Sequence, residues 1–149
     1  MTKLDVYSDG SCRSVKGGDQ PMGCGVYAEV DGKAVFADAY ALNSLGTANL
    51  AEWHGLLRAI KLAAAYVSLL GEGCRVTFHT DSRIVYEQFN GTCALRRPEF
   101  RHMKSACERH ASRIKSPYRV VWIPRGRNRA ADTLASEGRR EAIRNHSPK

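Results

Sequence analysis

At 149 residues, with 43% hydrophobic and 26% charged side chains, the chain has the size and composition of one globular domain able to bury a core. No apolar run reaches the roughly 18 residues of a membrane span, and the opening MTKLDVYSDGS has no apolar stretch of signal-peptide length, so a soluble, cytoplasmic protein is expected. The formal charge of +8 is lopsided: residues 1–90 carry 8 Lys/Arg against 10 Asp/Glu and residues 91–149 carry 15 against 5, an asymmetry that suits a polyanionic partner without identifying one.

In chain order, LDVYSDGS reads as a strand ending at Asp9, where Gly10 and Ser11 supply turn chemistry. Gly23 to Val30 and Ala34 to Tyr40 are two further strands, joined by the hairpin pair Asp31-Gly32. From Asn49 to Leu70 the pattern turns helical, with Leu56, Ala59, Ile60, Ala63, Val67 and Leu70 on one apolar arc and His54, Arg58 and Lys61 opposite. Glu52 falls inside the apolar arc, where a glutamate needs an explanation.

After a break at Gly71-Glu72-Gly73, CRVTFHT is a fourth strand ending at Asp81, followed by a short helix from Ser82 to Phe89 and a longer one from Pro98 to Ile114. Tyr118 to Ile123 is the fifth strand, Pro124 breaks it, and Asn128 is placed to cap a helix running to Ile143. The order β-β-β-α-β-α-α-β-α predicts an α/β domain with a mixed five-stranded sheet flanked by helices, its two crossovers joining parallel neighbours. No repeat or linker divides it, so a single domain over 1–145 with a frayed tail over 146–149 is expected.

Five cysteines, odd in number and scattered without a CxxC pair or zinc spacing, read as reduced and mostly structural thiols. The chemistry lies with the acids instead. Asp9 and Asp81 stand at strand ends, Asp132 in the first turns of the last helix, and Glu52 near the start of the first. Singly, each has a structural reading, as turn residue or helix-dipole partner. Together at one end of a sheet they would repel unless a divalent cation neutralised them, and oxygen ligands without Cys or His point to magnesium or manganese. Two such ions can activate a water and stabilise the leaving oxygen in phosphodiester hydrolysis.

The segments YSDGSC, TANLAEW, TDSRIVYEQFNG and VVWIPRGRNRAADTLA, spanning residues 7 to 135, resemble the four motifs of type 1 ribonuclease H in the family's order. The last, Pro-Arg-x-x-Asn-x-x-Ala-Asp-x-Leu-Ala, resembles the plant and archaeal-type, reverse-transcriptase-like branch. The resemblance implies a ribonuclease H-like fold, an RNA–DNA hybrid as partner, hydrolysis of its RNA strand with two magnesium ions, and a monomer with no obligate protein partner. It also implies that Asp9 bridges both ions, that Asp132 helps hold the nucleophile-side ion, and that Glu52 and Asp81 hold the other.

By the same resemblance Gly10, Ser11, Cys12, Asn49 and Asn128 are carried over as substrate contacts and Thr47 as a contact to a DNA-strand phosphate. Amides and Asn side chains can read 2′-hydroxyls without reading bases, although Asn49 reads equally well as a helix N-cap.

Two features depart from the best-known bacterial pattern. Only 51 positions separate Asp81 from Asp132, leaving no room for an inserted basic helix, so affinity would fall to residues such as Arg96, Arg97, Arg101 and Lys104, or these form a merely solvated face. The loop histidine before the last aspartate is absent. Pro124-Arg125-Gly126-Arg127 stands in its place, while His79 and His102 read as structural or surface residues. Arg125 is the candidate to act on the scissile phosphate, against a structural ion pair. The rival functions are another polynucleotidyl-transferase-type nuclease, a catalytically silent nucleic-acid binding module, and a domain of a larger polyprotein.

Overall fold

The computed structural model describes residues 1–13, 18–71 and 73–146. Within them run β1 (Thr2–Cys12), β2 (Gln20–Val30), β3 (Lys33–Gly46), α1 (Ala48–Leu70), β4 (Cys74–Thr80), α2 (Arg83–Phe89), α3 (Pro98–Ala111), β5 (Tyr118–Trp122) and α4 (Arg129–His146), with a 3-10 turn at Arg125–Arg127. The strands form one mixed sheet in the order β3-β2-β1-β4-β5. Pairing is antiparallel from β3 to β1 and parallel from β1 to β5, so the expected α/β class and element order hold. No helix among the described residues is long and apolar enough to cross a membrane.

Several boundaries differ from expectation for physical reasons. β1 does not end at Asp9. Its parallel ladder with β4 stops at Ser8↔Thr80, but β2 continues the antiparallel ladder through Gly10↔Cys24, Ser11↔Gly23 and Cys12↔Met22. Pairing across the hairpin holds two turn-prone residues extended. β2 and β3 also run past the expected limits, pairing as far as Gln20↔Gly46. The crossover through α1 does not join parallel neighbours. It passes β2 and sets β4 beside β1, while only the β4-to-β5 crossover does as expected.

Asp31 and Gly32 make the predicted hairpin turn at φ 49° and 82°. Gly71 and Gly73 take positive φ at the expected break, whose Glu72 lies outside the described residues, as do positions 147–149 of the expected tail. α3 ends at Ala111 and β5 at Trp122, short of the predicted Ile114 and Ile123.

Residue parity shows which helix covers which face. A Cβ on Gly10 would lie 2.2 Å from the backbone of Ala51 in α1, whereas one on Gly23, of opposite parity to Gly10's partner Cys24, would lie 2.0 Å from the Arg139 backbone nitrogen in α4. α1 and α4 therefore press on opposite faces. On the α1 face Trp53, Leu56 and Ile60 are buried among Leu4, Val6, Val76 and Phe78, with Phe100 and Cys107 of α3 closing the layer. Leu70, assigned to the apolar arc, is 36% exposed because the helix has run past the sheet. On the other face the buried positions of α4 are Ala131, Ala135, Gly138 and Ala142.

Candidate active site

The site forms where the sheet changes sense. β1 and β4 are adjacent and parallel, and their ladder ends at Ser8↔Thr80, so Asp9 and Asp81 emerge side by side at the carboxyl edge of neighbouring strands. In an open α/β sheet this is where the strands leave a crevice. Glu52 is driven into the same crevice by its neighbours, because Ala51, Trp53, Gly55 and Leu56 are buried and fix the rotation of α1. Gly55 permits the close approach: a Cβ there would lie 2.8 Å from the Asp9 carbonyl oxygen.

Carboxylate oxygens of Asp9, Glu52 and Asp81 lie within 4.8 Å of one another. Asp132, on the first turn of α4, stands outside this trio with its side chain 38% exposed, yet lines the same groove. The expected four-acid cluster is thus a tight trio, with Asp9 buried and Glu52 and Asp81 partly so, and Asp132 beside it.

The trio is electrostatically strained without a cation. Burial, and then the charges of Asp81 and Asp132, raise the Asp9 carboxyl to about 7, although a hydrogen bond with Glu52 works against this. Glu52 is held well above the carboxylate range by burial and by the Asp9 charge, and its Oε2 is buried with no partner. Asp81 is raised by burial, opposed by the Asn128 hydrogen bond and the Arg125 charge. Mutually raised acids, an orphaned carboxylate oxygen and an all-oxygen donor set fit a hard divalent cation.

Two groups fix Asp81 in place. The Trp122 indole N–H donates to its carbonyl oxygen at 3.1 Å. Asn128 is 1% exposed, and its amide donates to Asp81 Oδ2 at 3.1 Å and to the Ser8 carbonyl at 2.9 Å. Asn128 was expected to cap the last helix with its side chain and to touch substrate. Its side chain instead ties the start of α4 to the ends of β1 and β4, and it faces the interior.

The groove, an open cavity of about 740 Å3, brings together all four acids, Gly10, Ser11, Cys12, Asn49 and Arg125, but is not lined by Thr47 or Asn128. Thr47, not Asn49, caps α1, accepting from the Leu50 N–H at 3.3 Å. Asn49 is left facing the groove, and its Oδ1 is buried without a partner. Arg125 is 82% exposed and 3.8 Å from Asp132.

None of Arg96, Arg97, Arg101 and Lys104 lines the groove. Arg101 donates to the carbonyls of Leu95 and Arg96, and Arg97 pairs with Glu99 at 2.7 Å. His79 is internal as expected, paired with Asp5 at 2.9 Å and stacked on Tyr7. The five cysteines are free, and burial pushes Cys24 and Cys107 up to about 12, keeping them unreactive thiols. The groove also contains Ser136 and Arg139, which were not singled out. Their signal was the i, i+4, i+7 spacing from Asp132.

The reverse transcriptase-like family profile matches residues 8–138. A bifunctional protein of Mycobacterium tuberculosis is 29% identical over 140 residues, covering 91% of this chain and 35% of the relative. The chain thus spans about a third of the length of the curated relatives it matches. Among solved structures, the N-terminal RNase H domain of that mycobacterial protein, a fusion with maltose-binding protein, superposes with a TM-score of 0.81 at 25% identity, covering 99% of this chain and 100% of that one. LC11-RNase H1 in complex with an RNA/DNA hybrid gives 0.80 at 23% identity, covering 94% and 99%.

Proposed function

This chain belongs to the reverse transcriptase-like family and has the type 1 ribonuclease H fold, and from that premise we propose that it hydrolyses the RNA strand of RNA–DNA hybrids. One observation carries the reading: three carboxylates within 4.8 Å at the carboxyl edge of two adjacent parallel strands, in an open groove. The hybrid bound to LC11-RNase H1, on the same fold, supports the choice of substrate.

Asp9, Glu52 and Asp81, with Asp132 beside them, would hold magnesium, or manganese, as a pair of ions. Bound there, the ions supply Lewis acidity that activates the attacking water and stabilises the leaving oxygen. The protein's own groups position the strand. Asn49 offers an amide with an unpartnered carbonyl oxygen to a 2′-hydroxyl, and the β1 end at Gly10, Ser11 and Cys12 presents backbone beside it. Thr47 commits its side-chain oxygen to the helix cap, accepting from the Leu50 N–H. Arg125, exposed at the groove mouth, is directed at the scissile phosphate, where it balances charge without transferring a proton.

The test is cleavage of an end-labelled hybrid with magnesium, with manganese and with EDTA, beside duplex RNA and duplex DNA. The RNA strand of the hybrid alone is cut, and only with metal. Equal cutting of the three duplexes points to a different polynucleotidyl-transferase-type nuclease, and metal-independent binding without cleavage points to a silent binding module.

A further inference from the structure

Arg139 follows Asp132 by seven residues on α4, with Ser136 between them. At 100° per residue the three fall within about 60° of one another, and at 1.5 Å per residue Arg139 stands about 10 Å along the helix from Asp132. All three line the groove. The Arg139 backbone is held against the sheet, since a Cβ on Gly23 would lie 2.0 Å from its nitrogen and a Cβ on Gly138 would lie 2.3 Å from the Tyr40 carbonyl.

Its side chain is unsatisfied. Nε is buried with no hydrogen-bond partner. Among the described residues no carboxylate lies within ion-pair distance of its guanidinium, whereas Arg125 reaches Asp132. A guanidinium N–H removed from water without an acceptor is costly, and its fork matches the oxygens of a phosphate. An acceptor brought in by a polyanionic ligand removes that cost, and the Ser136 hydroxyl can donate beside it.

Resting on the hybrid reading, we propose that Arg139 and Ser136 form a phosphate subsite that grips the backbone of the strand lying along α4. With Arg139 about 10 Å from Asp132 along α4, the gripped phosphate is a few nucleotides along the strand from the carboxylates. The subsite fixes the register of the strand over the metal site from within the groove, which Arg96, Arg97, Arg101 and Lys104 do not line.

The test measures binding of a fluorescent hybrid by anisotropy in EDTA across a salt series. Arg139→Gln weakens binding about tenfold and reduces the slope of log K against log salt by about one, and Ser136→Ala weakens it about threefold. Arg140→Gln removes the same charge from an exposed position outside the groove and changes affinity less than twofold. The melting temperature of Arg139→Gln is unchanged or higher, because an unsatisfied group has been removed. A hybrid carrying one uncharged methylphosphonate at the gripped position binds the wild type as weakly as Arg139→Gln and loses nothing further on that variant. Wild-type affinity and slope in Arg139→Gln, or a lowered melting temperature, overturns the subsite while leaving the hybrid reading intact. A wild-type chain that binds no hybrid overturns both.

Discussion

On one face of the sheet α1 buries Trp53, Leu56 and Ile60, and on the other the buried positions of α4 are Ala131, Ala135, Gly138 and Ala142. The first packing draws its energy from large apolar surfaces, at about 1.5–3 kcal/mol for each fully buried large side chain. The second brings backbone against backbone, so that a Cβ on Gly25 would fall 2.5 Å from the Ala135 nitrogen and one on Gly138 2.3 Å from the Tyr40 carbonyl. A layer of flexible side chains tolerates small shifts by repacking, whereas direct backbone contact admits one position. The helix so constrained is the one that presents Asp132, Ser136 and Arg139 to the groove. Stability is thus concentrated on the α1 face and positional precision on the α4 face.

The largest expected effect falls on both helices alike and then divides them. Glu52→Gln on α1 and Asp132→Asn on α4 each lower single-turnover cleavage of the hybrid on the order of a thousandfold or more. Without metal their thermal behaviour differs. Glu52 is buried in the repelling trio, so its neutralisation raises the melting temperature at neutral pH, as Asp9→Asn and Asp81→Asn also do. Asp132 is 38% exposed and outside the trio, though its charge also raises Asp9 and Asp81, so its neutralisation raises the melting temperature by less than that of Glu52 does. Equal thermal shifts in the two variants would break the distinction between the tight trio and its outlying fourth member.

Packing variants come next. Leu56→Ala leaves a cavity on the α1 face and costs about 2–5 kcal/mol in urea unfolding, with turnover retained wherever the protein is folded. Gly138→Ala forces α4 away from β2 and β3 and costs about 1–3 kcal/mol, but its turnover falls out of proportion to that loss because Asp132 moves with the helix. If turnover instead tracks stability equally in both variants, the α4 contact is ordinary packing.

The α1 face was readable from the chain because large apolar residues at helical spacing declare their own orientation: of the predicted arc, only Leu70 escaped burial. The positions of Asp9, Glu52, Asp81 and Asp132 were readable for a related reason, since strand ends and helix starts are marked by local chemistry. The α4 face was not. Gly23 and Gly138 acquire meaning only when each other's backbone is known, and a glycine in isolation signals a turn as readily as a contact. Gly10 and Ser11 carry turn chemistry but lie extended, because β2 supplies hydrogen bonds that no local window contains. Asn128 has the residue type of a cap, and only the tertiary fold shows its amide on Ser8 and Asp81.

A smaller, pH-dependent effect separates the two faces again. Asp9 is raised from an ordinary 3.8 to about 7, so between those values the folded protein binds protons that the unfolded chain does not. The corresponding stability is fully present below pH 3.8 and is lost as pH rises through 7. Metal-free wild type therefore melts lower at pH 8 than at pH 5, by a few degrees (~1 kcal/mol or more at a domain of this size). The slope flattens in Asp9→Asn, persists in Leu56→Ala, and flattens when magnesium occupies the acids and holds them ionised. A slope unchanged in Asp9→Asn would assign the pH dependence to groups other than Asp9, the raised Glu52 first among them.

The smallest expected effect concerns Arg125, which the fold leaves on neither packed face. It sits on the 3-10 turn before α4, 82% exposed, and its 3.8 Å approach to Asp132 is that of a surface ion pair, of little value to stability. Arg125→Ala accordingly shifts the melting temperature by less than the packing variants do, within about 0.5 kcal/mol of wild type. Its charge nevertheless lowers the Asp81 carboxyl and stands at the groove mouth, where charge on the scissile phosphate must be balanced. Arginine cannot shuttle a proton near neutral pH, so any contribution to turnover is electrostatic and leaves the shape of the pH–rate profile intact. Arg125→Ala is therefore expected to lower turnover about tenfold with little change in hybrid affinity, and Arg125→Lys to recover part of the loss, since a point charge replaces the field but not the fork. For Arg139, by contrast, the expected change is in affinity. If Arg125→Ala weakens binding and spares turnover instead, both arginines serve to dock the strand, and Arg125 does not take over at the position where the loop histidine is missing.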